Sequence, residues 1–281
     1  MRRSMMISGL ALASLAVAGA TQAAEVEVRD AVARVVVVPE ARQDIRVDIL
    51  STNPSLPLQV RTDGDDVVVD GDLDRDIRSC RTRGGRPSVT VAGVGDVAYD
   101  DMPQVVIRTP LNADVSVGGA VFGSVGRSQS LTFANAGCGD WTIANVAGKL
   151  SLSQAGSGDL LGGGAGETDL RVAGSGDLSL RQVRGPLQID VAGSGDVKVA
   201  EVVGPLLQVR IAGSGDVHVA AGQVENFNAT IAGSGDAKFG GESGALQGRI
   251  VGSGDIEARR VRGEIERSVI GSGAITVEEA R

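Results

Sequence analysis

The residues best suited to chemistry in this chain are aspartates that recur in one short motif. The pentapeptide Ala-Gly-Ser-Gly-Asp occurs five times, and variants of it precede and follow these copies. Regularly spaced carboxylates could bind a cation such as Ca²⁺, or could act in pairs as acid and base. The five copies end at residues 159, 177, 196, 216 and 236, and the variants are AGVGD at 92–96, AGCGD at 136–140, VGSGD at 251–255 and IGSGA at 270–274.

Calcium binding is the first alternative for these carboxylates. Repeats of the form G-G-x-G-x-D-x-U-x bind Ca²⁺ between coils, but the motif here lacks the residue between the second glycine and the aspartate. An aspartate after Gly-Ser-Gly also suits a tight corner, where it accepts hydrogen bonds from local backbone N–H groups and the glycines supply unusual dihedral angles. We therefore predict structural corners and no cofactor, and keep as alternative calcium ligands Asp159, Asp177, Asp196, Asp216, Asp236 and Asp255.

Catalysis by paired carboxylates is the second alternative. Glycoside hydrolysis needs two carboxyl groups in different environments, and identical corners give identical environments. His218 is the only histidine, and we expect it on a solvated face between Lys198 and Lys238. Trp141 is the only tryptophan, and we expect it in the core. The sequence therefore predicts that the protein is not an enzyme, with a polysaccharide-active β-helix enzyme as the remaining alternative.

The repeat predicts the fold. In residues 176–194 apolar and polar side chains alternate on both sides of a polar turn, which is the period-two pattern of β-strands. Stacked units of about 19 residues are typical of an all-β, single-stranded parallel β-helix, or β-solenoid. A degenerate turn is expected around residues 115–126. The positions expected to face the core after each corner are 141 and 143, 160 and 162, 178 and 180, 197 and 199, 217 and 219, 237 and 239, 256 and 258, and 275 and 277.

The segment before these repeats has strand patterns that are out of register with them. Residues 25–90 are expected to form irregular first coils or a strand-rich N-terminal cap, and residues 91–281 the regular repeats of the same domain. Within the cap, residues 63–66 (DGDD) predict a hairpin turn. Residues 72–87 are charged and rich in glycine and proline, and they predict a loop.

The beginning of the chain predicts export. Arg2 and Arg3 precede an apolar stretch, and small residues suited to cleavage follow it. Residues 1–24 therefore predict a signal peptide that is cleaved near Ala23 or Ala24. We expect a periplasmic or secreted protein whose mature chain has no integral membrane segment.

Charge and cysteine content narrow the choice of partners and of compartment. The formal net charge of −8 argues against nucleic acid as a partner. Cys80 and Cys138 are the two cysteines of the chain. In an oxidising compartment this pair favours a disulfide over two free thiols. The bridge would attach the predicted loop at 72–87 to the first regular coil.

The repeated segments resemble a known family, the "putative auto-transporter adhesin, head GIN domain" family of exported bacterial proteins. The resemblance spans roughly residues 25–277 and implies a right-handed parallel β-helix. It also implies an adhesin-like structural or interaction protein of the bacterial envelope, which presents a flat sheet face to an unknown protein or glycan partner. The alternatives are a calcium-stabilised binding module that uses the GSGD corners, and a polysaccharide-active enzyme. The segments that carry the resemblance are AGSGDVKV (192–199), AGSGDVHV (212–219), NAGCGDWTIANVAG (135–148) and VVIRTPLNADVSV (105–117).

Overall fold

β-Strands form most of the computed structural model, which describes residues 24–83 and 86–280. The predicted signal peptide lies outside the described residues, apart from Ala24. Within the described ranges the only helical segment is a 3-10 turn at Tyr99–Asp101, which is far too short to cross a membrane. The strands are β1 Glu25–Glu40, β2 Arg46–Ser51, β3 Gln59–Asp63, β4 Asp66–Asp70, β5 Ile77–Arg83, β6 Arg86–Val91, β7 Gly95–Ala98, β8 Gln104–Pro110, β9 Asn112–Val125, β10 Ser130–Asn135, β11 Trp141–Ile143, β12 Leu150–Gln154, β13 Leu160–Ala165, β14 Thr168–Val172, β15 Leu178–Arg184, β16 Leu187–Val191, β17 Val197–Ile211, β18 Val217–Gly233, β19 Ala237–Gly252, β20 Ile256–Val261, β21 Ile265–Gly271 and β22 Ile275–Ala280.

The repeats stack as parallel coils, which confirms the predicted β-solenoid. Each coil contributes to two ladders of parallel strands. The corner ladder begins after each GSGD motif, and in it Leu178, Val197 and Val217 lie opposite one another in consecutive coils. The second ladder contains the strand before the next motif, where Leu187 pairs with Leu207. The handedness stays the prediction that the family resemblance makes.

The apolar core lies between the two ladders. Fourteen of the sixteen positions predicted to face inward are buried, from Trp141 to Ala258, and the exceptions are Ile275 and Val277 in the last coil, which are half-buried. Period-two alternation places every second side chain inward, so each coil covers the apolar side chains of its neighbour. The pattern of the sequence is therefore sufficient to identify the core of the repeats.

The first strand belongs to the same stack. Strand β1 forms a coil that pairs in parallel with β9 on one side and with β4 and β8 on the other. The degenerate turn predicted around residues 115–126 lies in β9, which is also a full coil. Two antiparallel edge strands, β2 and β3, flank this end. The predicted hairpin at residues 63–66 is confirmed, because β3 pairs with β4 across Gly64. The division of the chain at residue 90 stays a prediction.

Strands β5, β6 and β7 form a small antiparallel sheet that is separate from the solenoid ladders. It is called the side sheet below. The loop predicted at residues 72–87 is wrong over most of its length, because Ile77–Arg83 and Arg86–Val91 pair as strands. The motif AGVGD at 92–96 is not a solenoid corner but a hairpin turn, in which Gly93 and Gly95 have φ angles of 77° and 99°. The sequence predicted a loop here because the exposed side chains of the side sheet include many charged residues.

The side sheet is attached to the solenoid by its own apolar cluster and by a disulfide. Val89, Val91 and Val97 of the sheet pack in one cluster with Ala120 and Phe122 of β9. Cys80 of β5 is bonded to Cys138, and their Cα atoms are 6.1 Å apart. Cys138 occupies the serine position of the AGCGD corner, so the bridge joins the sheet to a coil without changing the corner glycines.

Candidate functional site

The motif aspartates form one continuous hydrogen-bonded column along the solenoid. In each coil the aspartate Oδ1 atom accepts a hydrogen bond from the backbone N–H of the equivalent residue in the next coil. The column runs from Asp140 to Ala274. Its donor–acceptor distances are 2.9 Å for Asp159 to Asp140, 3.0 Å for Asp177 to Asp159, 2.9 Å for Asp196 to Asp177, 3.0 Å for Asp216 to Asp196, 2.8 Å for Asp236 to Asp216, 2.8 Å for Asp255 to Asp236 and 2.7 Å for Ala274 to Asp255.

These bonds correct one part of the corner prediction. The aspartates were expected to bond local N–H groups, but the donors lie 18–20 residues away in the chain. The aspartate carboxylate takes the place of a backbone acceptor where the corner interrupts the ladder, and the bond is charge-assisted. The aspartate carbonyl oxygen accepts a further bond from the neighbouring coil; for example, the Val197 N–H donates to Asp216 O at 2.8 Å. The repeated acid therefore joins successive coils.

The corner glycines are required by close approach between coils. A Cβ atom on Gly193 would lie 2.3 Å from the carbonyl oxygen of Gly174, and one on Gly195 would lie 2.3 Å from that of Gly176. The predicted unusual dihedral angles occur at the first glycine of the motif in the later coils, for example Gly233 with φ of 153°. They do not occur at Gly195, the second glycine of its motif. Stacking distance is therefore the more general reason for glycine at these positions.

The alternatives of calcium binding and of catalysis gain no support from this column. Among residues 24–83 and 86–280 no three His, Cys, Asp or Glu side chains are grouped in a way that could hold a metal ion. The Oδ1 atoms of the candidate calcium ligands are all engaged with backbone N–H groups. Because every carboxylate in the column has the same bonding, no pair is differentiated as acid and base.

The outward side chains of the corner ladder follow the predicted order. His218 pairs with Lys198 in one neighbouring coil and with Lys238 in the other, and all three are exposed. Lys198 Nζ lies 4.0 Å from Asp196 Oδ2, and Lys238 Nζ lies 2.6 Å from Glu257 Oε2. Solvent screens such exposed pairs strongly. This basic row therefore offsets the charge of the neighbouring aspartates only weakly.

The aspartate column stops at Asp140, and different side chains continue its line. Trp141 pairs with Gly123, so the residue equivalent to Asp140 one coil earlier is Phe122, and Phe122 pairs with Arg34 in the coil before that. Phe122 is 4% exposed, and its ring meets that of Tyr99 edge-on with centroids 6.0 Å apart. Here an aromatic residue and a cation replace the repeated acid, and the side sheet packs against Phe122.

A groove of about 680 Å³ lies at this interruption, between the corner ladder and the side sheet. Its floor includes Gly123, Ser124 and Thr142 from adjacent coils, and its far wall includes Arg86 and Asp100. Asp140, Arg34, Tyr99 and Gln104 also line it. Solvent-exposed polar side chains thus meet an aromatic ring on a floor of paired strands.

Several contacts hold the groove in shape. The Arg34 guanidinium carbon lies 5.3 Å from the centroid of the Tyr99 ring, which is cation–π distance. Arg34 Nε also donates to the carbonyl oxygen of Met102 at 3.3 Å. Below the floor the Trp141 indole Nε1 donates to the Val121 carbonyl oxygen at 2.8 Å, and the indole is buried, as predicted. A side chain on Gly123 would collide with this indole.

Sequence reasoning did not identify the groove. Arg34, Tyr99 and Thr142 come from widely separated parts of the chain, and none belongs to a recognised motif. The one available signal was the gap in the aspartate series between Asp96 and Asp140. That gap marked where the repeat changes, although it did not reveal which side chains would meet there.

The comparisons with known proteins give similarities in fold and in part of the sequence. A solved structure titled as a putative lipid binding protein from Parabacteroides distasonis is 19% identical, with 92% of each chain covered and a TM-score of 0.53. A second, titled as a putative adhesin from Bacteroides fragilis, is 14% identical over 93% of each chain, with a TM-score of 0.44. The comparison with curated proteins found no match. The family model described as "putative auto-transporter adhesin, head GIN domain" matches residues 186–280, so the predicted resemblance is confirmed over the C-terminal coils.

Proposed function

We propose that this chain is an exported, non-catalytic interaction protein of the bacterial envelope that contacts its partner through the groove. The matching family model is named for adhesins, and the N-terminal sequence has the features of a secretory signal. An adhesin-like role needs a rigid support and a recognition surface. The solenoid and the groove correspond to these two parts.

One observation carries this proposal. The repeat uses its aspartates and glycines to join coils, and the groove lies where the aspartate series gives way to Phe122 and Arg34. Side chains that occur once in the stack can define a single site, whereas a repeated corner presents the same surface many times. The groove offers such side chains in Arg86, Tyr99 and Asp100.

A catalytic role is less well supported by the same geometry. Asp140 is the groove carboxylate nearest to the repeats, and its Oδ1 atom already accepts the Asp159 N–H at 2.9 Å. His218, the only histidine of the chain, lies four coils beyond Thr142 on the same column. Neither residue therefore forms an acid–base pair with the other.

The experiment is a binding assay with fractions of the bacterial envelope. Beads coated with the mature chain, residues 25–281, are mixed with whole cells, outer-membrane vesicles and purified cell-wall sacculi of a bacterium that encodes the protein. We expect retention of at least one of these materials, and weaker retention when the groove floor is filled by Ser124→Leu and Thr142→Leu together.

The matched control changes the same residue types on the same outward column, with Ser179→Leu and Thr276→Leu, both outside the groove. Retention no better than that of albumin-coated beads would contradict an adhesin-like role. Turnover of a cell-wall or capsular glycan by the purified protein would contradict the non-catalytic assignment.

A further inference from the structure

We propose that the groove binds a neutral saccharide, held by hydrogen bonds to its hydroxyl groups and by contact with Tyr99. This inference rests on the proposed function and specifies the class of ligand for the same site. It concerns residues that precede the stretch matched by the family model, residues 186–280.

The charges of the groove favour a neutral ligand. Arg34 and Arg86 contribute two positive charges, and Asp100 and Asp140 contribute two negative ones. An anionic polymer would meet both carboxylates and the overall charge of −8. An acyl chain would displace water from these four charged groups and offer them no hydrogen bonds in exchange, which is costly. A ligand with many hydroxyl groups can satisfy both signs, because each hydroxyl is a donor and an acceptor.

The polar side chains of the groove are of types that can hydrogen-bond to adjacent hydroxyl groups of a sugar. Guanidinium and carboxylate groups each present two parallel donors or acceptors in a plane. Ser124 and Thr142 stand side by side on the floor, because their strands are paired at these residues, and Gln104 contributes an amide. A sugar ring carries donors and acceptors at similar close spacing, so several of these side chains can engage one ring.

The aromatic group is fixed in position and only partly covered. Tyr99 is half-buried, with Arg34 over its ring and Phe122 against it edge-on. The apolar C–H face of a sugar packs favourably on such a surface, as other apolar groups do. Because these contacts and the Cys80–Cys138 bridge already hold the walls in place, little ordering cost remains for binding.

The size of the groove is also consistent with a short glycan segment. Its volume of about 680 Å³ is within the usual range for small-molecule sites. The groove is exposed to solvent, so a longer chain can extend out of it with one or two rings seated. For an open polar site of this kind we expect weak affinity, with a dissociation constant of about 0.1–1 mM.

The protein carries its own reporter for this test. Trp141 is the only tryptophan, and its indole lies directly beneath Gly123 in the groove floor. The mature chain is titrated with neutral tetrasaccharides derived from glucan, mannan, galactan and chitin, while Trp141 fluorescence is followed. We expect at least one of them to shift the emission with a saturable curve, and Ser124→Leu/Thr142→Leu to weaken that binding at least tenfold.

The control variant Ser179→Leu/Thr276→Leu should bind like the unchanged chain. If the floor variant fails to fold, Asp100→Ala, at an exposed position on the far wall, takes its place. Saturable binding that the folded groove variant retains at full strength would overturn the site. Binding of anionic but not neutral oligosaccharides would overturn the ligand class. No response to any neutral probe, with envelope retention intact, would overturn this inference alone, whereas loss of envelope retention itself would overturn the proposed function.

Discussion

Replacement of Asp196 by alanine and by asparagine separates the two effects of the aspartate column, its hydrogen bonds and its repulsion. Asp196 Oδ1 accepts the Asp216 N–H at 3.0 Å, and the side chain is 37% exposed. Both substitutions remove the charge, and with it a repulsion of about 1 kcal/mol per neighbouring carboxylate at the spacing of paired strands in water. Only asparagine keeps an acceptor in the right place.

The difference between the two variants therefore measures the coil-to-coil hydrogen bond. We expect Asp196→Ala to be less stable than Asp196→Asn by about 1 kcal/mol, which is about 2–4 °C in Tm for a domain of this size. Asp196→Asn itself should be as stable as the unchanged chain or more stable, because the repulsion is relieved.

The assay is urea unfolding followed by circular dichroism, with thermal unfolding as a second measure. Glu225→Ala and Glu225→Gln form the control pair, because Glu225 is exposed and lies outside the aspartate column. Equal stability of the two Asp196 variants would refute the role assigned to the carboxylate. A large loss with asparagine would instead indicate that the charge itself is required, as a bound cation would require it.

Three further predictions concern the corners, the bridge and one half-buried carboxyl group. Gly195→Ala should cost about 1–3 kcal/mol in urea unfolding through collision with the preceding coil, whereas Gly118→Ala, which meets nothing within 4 Å, should cost much less. Reduction of the Cys80–Cys138 bridge, which spans 58 residues, should lower stability by up to about 4 kcal/mol. It should also make the side sheet sensitive to protease, and unchanged digestion would contradict the anchoring role of the bridge. Burial, with the nearby carboxylates of Glu25 and Asp66, raises the pKa of Asp114. Ionisation of Asp114 therefore lowers the stability of the fold as pH rises above its pKa in the unfolded chain, about 4. Asp114→Asn should raise Tm near neutral pH and change it little near pH 3. A lower Tm at neutral pH would contradict this reasoning.

The sequence was sufficient for the repeats because their residues act on nearest neighbours. Leu178, Val197 and Val217 are buried in register because one periodic pattern defines the inward side and the stacking order. The same pattern could not identify the donor to each aspartate. An acid at a corner can bond to the chain on either side of it or to the next coil, and these choices have the same local sequence.

The side sheet and the groove show where periodicity stops being informative. Arg78 and Arg81 suggested a loop, yet they lie on an exposed face of β5. The groove joins Arg34, Tyr99 and Thr142, which are separated by more than forty residues from one another and share no spacing. Such a site depends on how a non-repeated sheet packs on the stack, and a single sequence contains no local pattern for that packing.

The bond from Asp196 to the next coil also bears on how such a chain can change its length in evolution. Asp216 bonds in turn to Asp236, so each coil carries one acceptor for its successor and one donor for its predecessor. Loss of residues 197–216 would place Val217 directly after Asp196, with an equivalent donor and acceptor on both sides of the junction. Duplication or loss of whole coils therefore preserves the bonding. The observed spacings of 18–20 residues show that a coil can differ by one or two residues and keep its bond, whereas a larger change within one coil would break its register with its neighbours. The number of coils is free to vary among descendants of such a gene, while the length of each coil is constrained.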